Sequence, residues 1–467
     1  MAGNRARLGR VPWVRLDFSS SKRRFDFMPA AGILRFAMLA SSHARILAQS
    51  FVTSRCRKDR QGSLMKRIVL ALVVLLTGAS LPVPAASLPA VQSSVRYEHI
   101  GDYTVERLNK ILNEELAEFS TFKVAYPPAK NAVSLYRVFY ETVIPELGNE
   151  PTTASGLIAV PQVAQKTLPV VSYQHGTVFT KTAVPSHPEE SMETRLMIAR
   201  FAGQGYIVIG ADYVGKGESP EPDSYMVRDV TAQACLDMLF ASRVVCSDLG
   251  LTQQSLFLSG WSQGAWATMQ FRHKLEILDI PVKAAATAST PCDLYLLLTR
   301  WINNPTSLDA SWLPGSPLLF IFAYEHYYDL PGLSRAAIKE EYWQTANDLY
   351  ENKIDWEQAS RKLPGTVGEL LRPEFAAESS MGNSRFYRRL QENQAYRWRY
   401  RTPSRYYYGK IDEVMPPYVA TLPVDYAKAV GGAPAEAVYA GDNADHRGTF
   451  LFGVRDQKDW FDSLLVQ

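Results

Sequence analysis

The pattern of apolar and polar positions changes character twice along the chain. From Ser87 to about residue 120 the sequence is polar and helix-prone. Strict alternation at Val133–Val143 and Ser155–Val160 predicts strands with one buried face. Short continuous apolar runs follow at Leu168–Tyr173, Tyr206–Gly210, Ser255–Ser259 and Lys283–Ala288, and these read as strands buried on both faces. Amphipathic segments at about 190–204, 226–245 and 265–277 separate them. Such βα alternation predicts an α/β fold, a mainly parallel central sheet flanked by helices. The rhythm stops between Pro291 and Arg401, where aromatic residues and helix formers predict a mostly helical insertion. It resumes at Ser404–Gly409 and Glu436–Ala440, with a closing helix near Asp456–Leu465. The expected core is thus 87–290 with 401–467, and the insertion is 291–400.

One apolar stretch belongs to none of this. Met65–Leu76 has a basic start and an apolar run of about nine residues, and Val83–Ala86 supplies small residues for cleavage. This is the pattern of a secretory signal over 65–86, too short to span a bilayer. The 64 residues before it hold 13 Lys/Arg and three Asp. They read as a leader upstream of the true start at Met65, the alternative being a long basic targeting arm. The signal implies a secreted or periplasmic product.

Removing these segments reverses the charge. The whole chain carries 50 Lys/Arg and 47 Asp/Glu, a net +3, but from residue 87 onward 35 basic residues face 44 acidic ones, about −9. Nucleic acid and anionic membrane lose their electrostatic support as partners. No second long apolar run exists, so stable membrane insertion is not expected. The oligomeric state is left open. Three cysteines follow the signal, Cys235, Cys246 and Cys292. The first two fall on one predicted helix about 16 Å apart, too far to bond. Any bridge would use Cys292; three buried thiols are the equal alternative.

The chemistry gathers around Phe257–Ala267, FLSGWSQGAWA. Gly260-Trp-Ser262-Gln-Gly264 is G-x-S-x-G at a strand-to-helix junction, where the serine backbone is strained and the glycines two before and two after it pass too close for side chains. A serine at this corner needs a base. His446, in the polar loop Gly441–Gly448 after the last strand, is the candidate among seven histidines. A carboxylate after a strand should orient it, and Asp412 in Tyr408–Pro416 fits, with Glu413, Asp442 and Asp445 as neighbours that could replace it.

The order Ser262, Asp412, His446 is that of the α/β-hydrolases. With Tyr173-Gln-His-Gly-Thr177, Gly210–Ser219, the GWSQG elbow and Gly409–Pro416, the chain resembles bacterial secreted lipases and esterases related to the secretory lipase family over about 130–290 and 400–467. The insertion matches only by position. The resemblance implies an oxyanion hole from the backbone N–H groups of Thr177 and Gln263. It also implies a Ser-His-Asp ester hydrolase acting on a small-molecule or lipid ester, with the insertion as lid.

Other motifs carry less. Gly215-x-Gly217 lacks a third glycine and reads as a turn. No Cys/His or carboxylate spacing suggests a metal, and no cofactor is implied. Aromatic residues of the insertion (Trp301, Trp312, Phe320, Phe322, Tyr324, Tyr327, Tyr328, Trp343 and Trp356) read chiefly as its own core, with an acyl-binding lining as the alternative. A serine peptidase on the same fold and a non-catalytic binding protein are the competing functions.

Overall fold

The computed structural model describes residues 95–466; the signal expected at 65–86 and the leader before it lie outside the described residues. Nine strands form one sheet: β1 (Arg96–Tyr103), β2 (Val133–Ile144), β3 (Glu150–Pro161), β4 (Thr167–Gln174), β5 (Ile207–Ala211), β6 (Thr252–Trp261), β7 (Ala284–Ala288), β8 (Ser404–Tyr408) and β9 (Ala435–Tyr439). Their order is β1-β2-β3-β5-β4-β6-β7-β8-β9. The first three strands are antiparallel, and β3 meets β5 antiparallel. From β5 through β4, β6, β7 and β8 to β9 every pairing is parallel.

Alternate strand residues face opposite sides, and two apolar clusters result. Val171 of β4 and Leu157 of β3 pack with Phe201 of α1 (Met192–Phe201) and with Phe450 and Phe461 of the closing helix. Val170 and Ile158 turn the other way, onto α2 (Arg228–Asp248) and α3 (Gln263–Ile277). The helical segment between β7 and β8, Leu294 to Glu392, joins this second cluster through Leu318, Ile321 and Tyr324 of α4 (Gly315–Tyr327). Sheet and insertion therefore share one continuous core. No helix among the described residues is long and apolar enough to cross a membrane.

Three expectations need correction. Residues 96–103 form a strand, not part of a helical stretch; β1 is an edge strand of polar sequence, RYEHIGDY, largely exposed on both faces, so it carries no apolar alternation. Helix begins only at Val105, after the Thr104 cap. The closing helix, α5 (His446–Leu465), starts ten residues earlier than Asp456. Its first turn contains Gly448, a poor helix former that hid the start; the Asp445 side chain caps it by accepting the Gly448 N–H at 2.6 Å. His446 is consequently the first residue of a helix rather than part of a loop. The Gly215–Gly217 segment is a turn, with φ of 91° and 55° at the two glycines.

Candidate active site

Each candidate residue stands at the carboxyl end of a parallel strand, where open α/β sheets bind ligands. Ser262 follows β6 directly, with φ 56° and ψ −124°, a left-handed conformation that an L-residue adopts only when its surroundings impose it. Those surroundings are backbone packed without room for side chains. A Cβ on Gly264 would lie 1.9 Å from the Gln174 carbonyl oxygen, and one on Gly260 2.2 Å from that of Gly264. The Ser262 N–H is anchored to the Ala288 carbonyl across β7 at 3.0 Å.

Asp412 and His446 meet across the loops after β8 and β9. His446 Nδ1 and Asp412 Oδ1 are 2.9 Å apart, both side chains buried. The carboxylate is fully supported: Ser289 Oγ donates to Oδ2 at 2.6 Å, and the N–H groups of Val414 and Met415 donate to Oδ1 at 3.0 and 2.8 Å. Gly409 makes the approach possible, since a Cβ there would lie 2.1 Å from the Ala444 carbonyl oxygen. Burial opposes charge on both partners. For Asp412 the His446 charge and hydrogen bond, with the Ser289 and Met415 donors, outweigh burial and hold the carboxyl below its ordinary range. For His446 the Asp412 charge and hydrogen bond outweigh burial and raise the imidazole above its ordinary value.

The neighbouring acids have separate tasks. Glu413 Oε2 accepts the His446 backbone N–H at 2.9 Å, Asp442 is exposed beside Lys410 and Tyr439, and Asp445 caps α5. Only Asp412 touches the imidazole ring nitrogen. The other ring nitrogen, His446 Nε2, is buried and has no hydrogen-bond partner among the described residues.

A cavity of about 230 Å³ is lined by both Ser262 and His446. Thr177, Phe179 and Trp261 form part of its wall, Trp312 and Trp356 of the insertion another, and Glu413 and Arg447 the rest. Phe179 and Trp356 stack with centroids 4.4 Å apart. Trp261, between Gly260 and Ser262, donates its indole N–H to the His446 carbonyl at 3.1 Å and packs against the imidazole at 4.9 Å. Of the two expected oxyanion donors, Thr177 lines the cavity. Gln263 does not; it is buried as the first residue of α3, where the N–H has no intrahelical partner. A larger cavity, about 730 Å³, is lined by Pro222, Phe322, Trp343 and Tyr350 and includes neither Ser262 nor His446. Size alone would point there, but the candidate nucleophile and base, Ser262 and His446, line the smaller one.

Sequence reasoning missed several contributors. Ser289, at φ 51°, has no motif around it, and its role depends on β7 lying beside β8. Trp261 was visible as part of the elbow but not as a cavity wall, whereas Trp312 and Trp356 follow the alternative reading of the insertion aromatics and line the cavity. The remaining insertion aromatics divide as expected for a core: Trp301, Phe320, Phe322, Tyr324 and Tyr327 are buried, and Tyr328 and Trp343 pack against them. His175 has a structural setting: it is stacked on Tyr213 at 4.2 Å, with both ring nitrogens against the Gly176 and Asp212 carbonyls, and burial pushes it down to about 4.

No protein-family model and no curated protein matches this chain. Solved structures are. A protein of Legionella pneumophila named as a hydrolase superposes with a TM-score of 0.70 at 22% identity, covering 79% of this chain and 97% of that one. The rice cell wall degrading esterase LipA of Xanthomonas oryzae, in a ligand-bound form, gives 0.65 at 19% identity over 79% and 96%. Candida antarctica lipase A in its closed state gives 0.59 at 16% identity over 79% and 82%. Together with the parallel sheet and the serine elbow, these likenesses show that the chain has the α/β-hydrolase fold.

Proposed function

We propose that this protein is an exported serine hydrolase of carboxylic esters, with Ser262 as nucleophile, His446 as general base and acid, and Asp412 as its orienting carboxylate. The observation that carries the reading is the Asp412–His446 pair at 2.9 Å, whose histidine lines the same cavity as the strained Ser262. The solved structures of similar fold include an esterase and a lipase, which agrees with ester chemistry. The signal pattern at 65–86 supports export.

In this mechanism Ser262 Oγ attacks the ester carbonyl carbon while His446 Nε2 takes the hydroxyl proton. The oxyanion is met by the N–H groups of Thr177 and Gln263. Nε2 then returns the proton to the alcohol oxygen as the C–O bond breaks, leaving an acyl-serine. A water molecule, deprotonated by the same nitrogen, releases the acid and restores the serine. Asp412 keeps the Nδ1 proton in place throughout and stabilises the imidazolium. Residues 291–400 act as the lid, contributing Trp312 and Trp356 above the serine.

Ser262→Ala should lower kcat on p-nitrophenyl butyrate by about 10⁴-fold or more with an unchanged unfolding temperature. A folded variant near the parent rate would refute the assignment. Parallel assays on peptide anilides separate esterase from peptidase, since the proposed enzyme should turn over the esters and leave the anilides intact.

A further inference from the structure

Behind the loop that carries Thr177 lies a buried carboxyl that the mechanism above does not use. Glu193 is the second residue of α1, 6% exposed. Its two oxygens accept the N–H of Gly176 at 3.2 and 3.1 Å, and the Tyr173 hydroxyl donates to one of them. Among the described residues no Lys, Arg or His forms an ion pair with it. A carboxyl buried on neutral donors is costly for folding alone, and its donors both belong to the strand and turn that lead to Thr177.

That turn is gripped on every side. A Cβ on Gly176 would lie 3.1 Å from Trp261 Cε3 and 3.4 Å from Glu193 Oε2, so the glycine is held between indole and carboxyl. One residue on, Thr177 Oγ1 meets the Tyr225 hydroxyl at 2.9 Å, and Tyr225 meets Ser316 Oγ of α4 at 3.2 Å. Glu193 thus fixes the peptide just before the oxyanion donor, while Tyr225 fixes the side chain just after it.

We infer that Glu193 is a positioning residue for ester hydrolysis, holding the Gly176–Thr177 turn so that the Thr177 N–H meets the developing oxyanion. The inference rests on the serine-hydrolase reading above. A donor held in advance stabilises the transition state without reorganising at the moment of reaction, whereas one on a loosened turn loses part of that benefit.

The same geometry links the turn to pH. Burial is the main influence on Glu193 and pushes it up to about 7, against the Tyr173 and Gly176 hydrogen bonds and the charges of His446 and Arg447. The ionisable groups that face it are Tyr173 from β4, Tyr213 from the segment after β5, and His446 and Arg447 from α5. Burial holds both tyrosines well above neutrality. His446 is therefore the group whose titration overlaps that of Glu193.

The test uses the full chain with Glu193→Ala and Glu193→Gln, assayed on p-nitrophenyl butyrate from pH 5 to 9. Glu193→Ala should lower kcat about tenfold or more with KM within about twofold, the signature of an interaction made in the transition state. Glu193→Gln can still accept the Gly176 N–H through its amide oxygen, so it should recover to within about threefold of the parent at neutral pH. It should also lose one ionisation from the acid limb of kcat/KM. A folded Glu193→Ala variant with kcat within twofold of the parent would overturn the inference. So would a Glu193→Gln profile superimposable on the parent's, and this second arm decides the matter if the alanine variant does not fold. Ser262→Ala, run alongside, separates the two levels: an active Ser262→Ala sinks the hydrolase reading, whereas an inactive one with neutral Glu193 variants sinks only the positioning role.

Discussion

At the scale of single residues the candidate site turns on one buried charge pair, Asp412 and His446. Asp412 raises the basicity of His446, so the base form that accepts the serine proton in the proposed mechanism is lost as pH falls through a value above the ordinary 6.5 of histidine. Activity should therefore show an acid limb centred above pH 6.5. Asp412→Asn removes the largest raising influence and leaves burial, which lowers the histidine, opposed only by the charges of Glu413 and Asp445, so the limb should move to lower pH while kcat falls by about 10⁴-fold through loss of the correct tautomer. A pH series of kcat/KM on both forms checks the two shifts together. The pair also bears on stability. A depressed carboxyl contributes stability that is present above its unfolded value, about 3.9, and is lost as pH falls through its lower folded value. Ser262, Asp412 and His446 were legible as candidates because the motif that singles them out depends on residue type and chain order, and the fold brings them to one cavity or into contact. Ser289, which supports Asp412, and Glu193, which grips Gly176, were not, because each acts through a neighbour far away in sequence.

At the scale of elements, tight corners bring these residues together, and glycine is what the sequence shows of them. Gly260 and Gly264 were legible as points of close approach, and Gly264→Ala should leave no soluble folded enzyme, since the added carbon would overlap the Gln174 carbonyl. Circular dichroism and gel filtration would report it. Element ends were less legible. The polar edge strand β1 buries too little to show a period, and Gly448 masked the first turns of α5, so the helical setting of His446 emerged only from the fold. The insertion shows a further limit of sequence reasoning. Its aromatics look alike in the sequence, yet Tyr324 is bonded to the Met226 carbonyl in the core while Trp356 stacks on Phe179 at the cavity. On the proposed ester chemistry, a small cavity walled by such rings would favour short acyl groups. Trp356→Ala should accordingly raise the ratio of octanoyl to butyryl ester kcat/KM by about tenfold, one to three kcal/mol being the usual worth of such a pocket contact. An unchanged ratio in a folded variant would place chain-length selection elsewhere.

At the scale of the whole molecule, sheet and insertion form one cooperative core. Excising residues 300–390 would strip Leu318, Ile321 and Tyr324 from the core they share with α2 and α3, and leave the Met226 carbonyl without the Tyr324 hydroxyl that donates to it at 3.1 Å. Such a deletion should aggregate, as light scattering would show, which makes local aromatic substitutions the sounder probe of specificity. The core also answers the cysteine question. Cys235, Cys246 and Cys292 are free and buried, Cys235 and Cys246 on one helix as the spacing implied, and Cys292 donates to the Val419 carbonyl at 2.9 Å. The unfolding temperature should not change on adding a reductant, and thiol titration should be slow until the protein is denatured; a reductant-dependent shift of several degrees would reveal a bridge.

The most direct test of the central claim is covalent labelling of the full chain by a fluorophosphonate, followed by mass spectrometry of the peptides. The account predicts stoichiometric phosphonylation confined to Ser262, blocked in Ser262→Ala and greatly slowed in His446→Ala, with ester hydrolysis lost in step with labelling. Labelling of another residue, or full ester turnover by enzyme modified at Ser262, would contradict it.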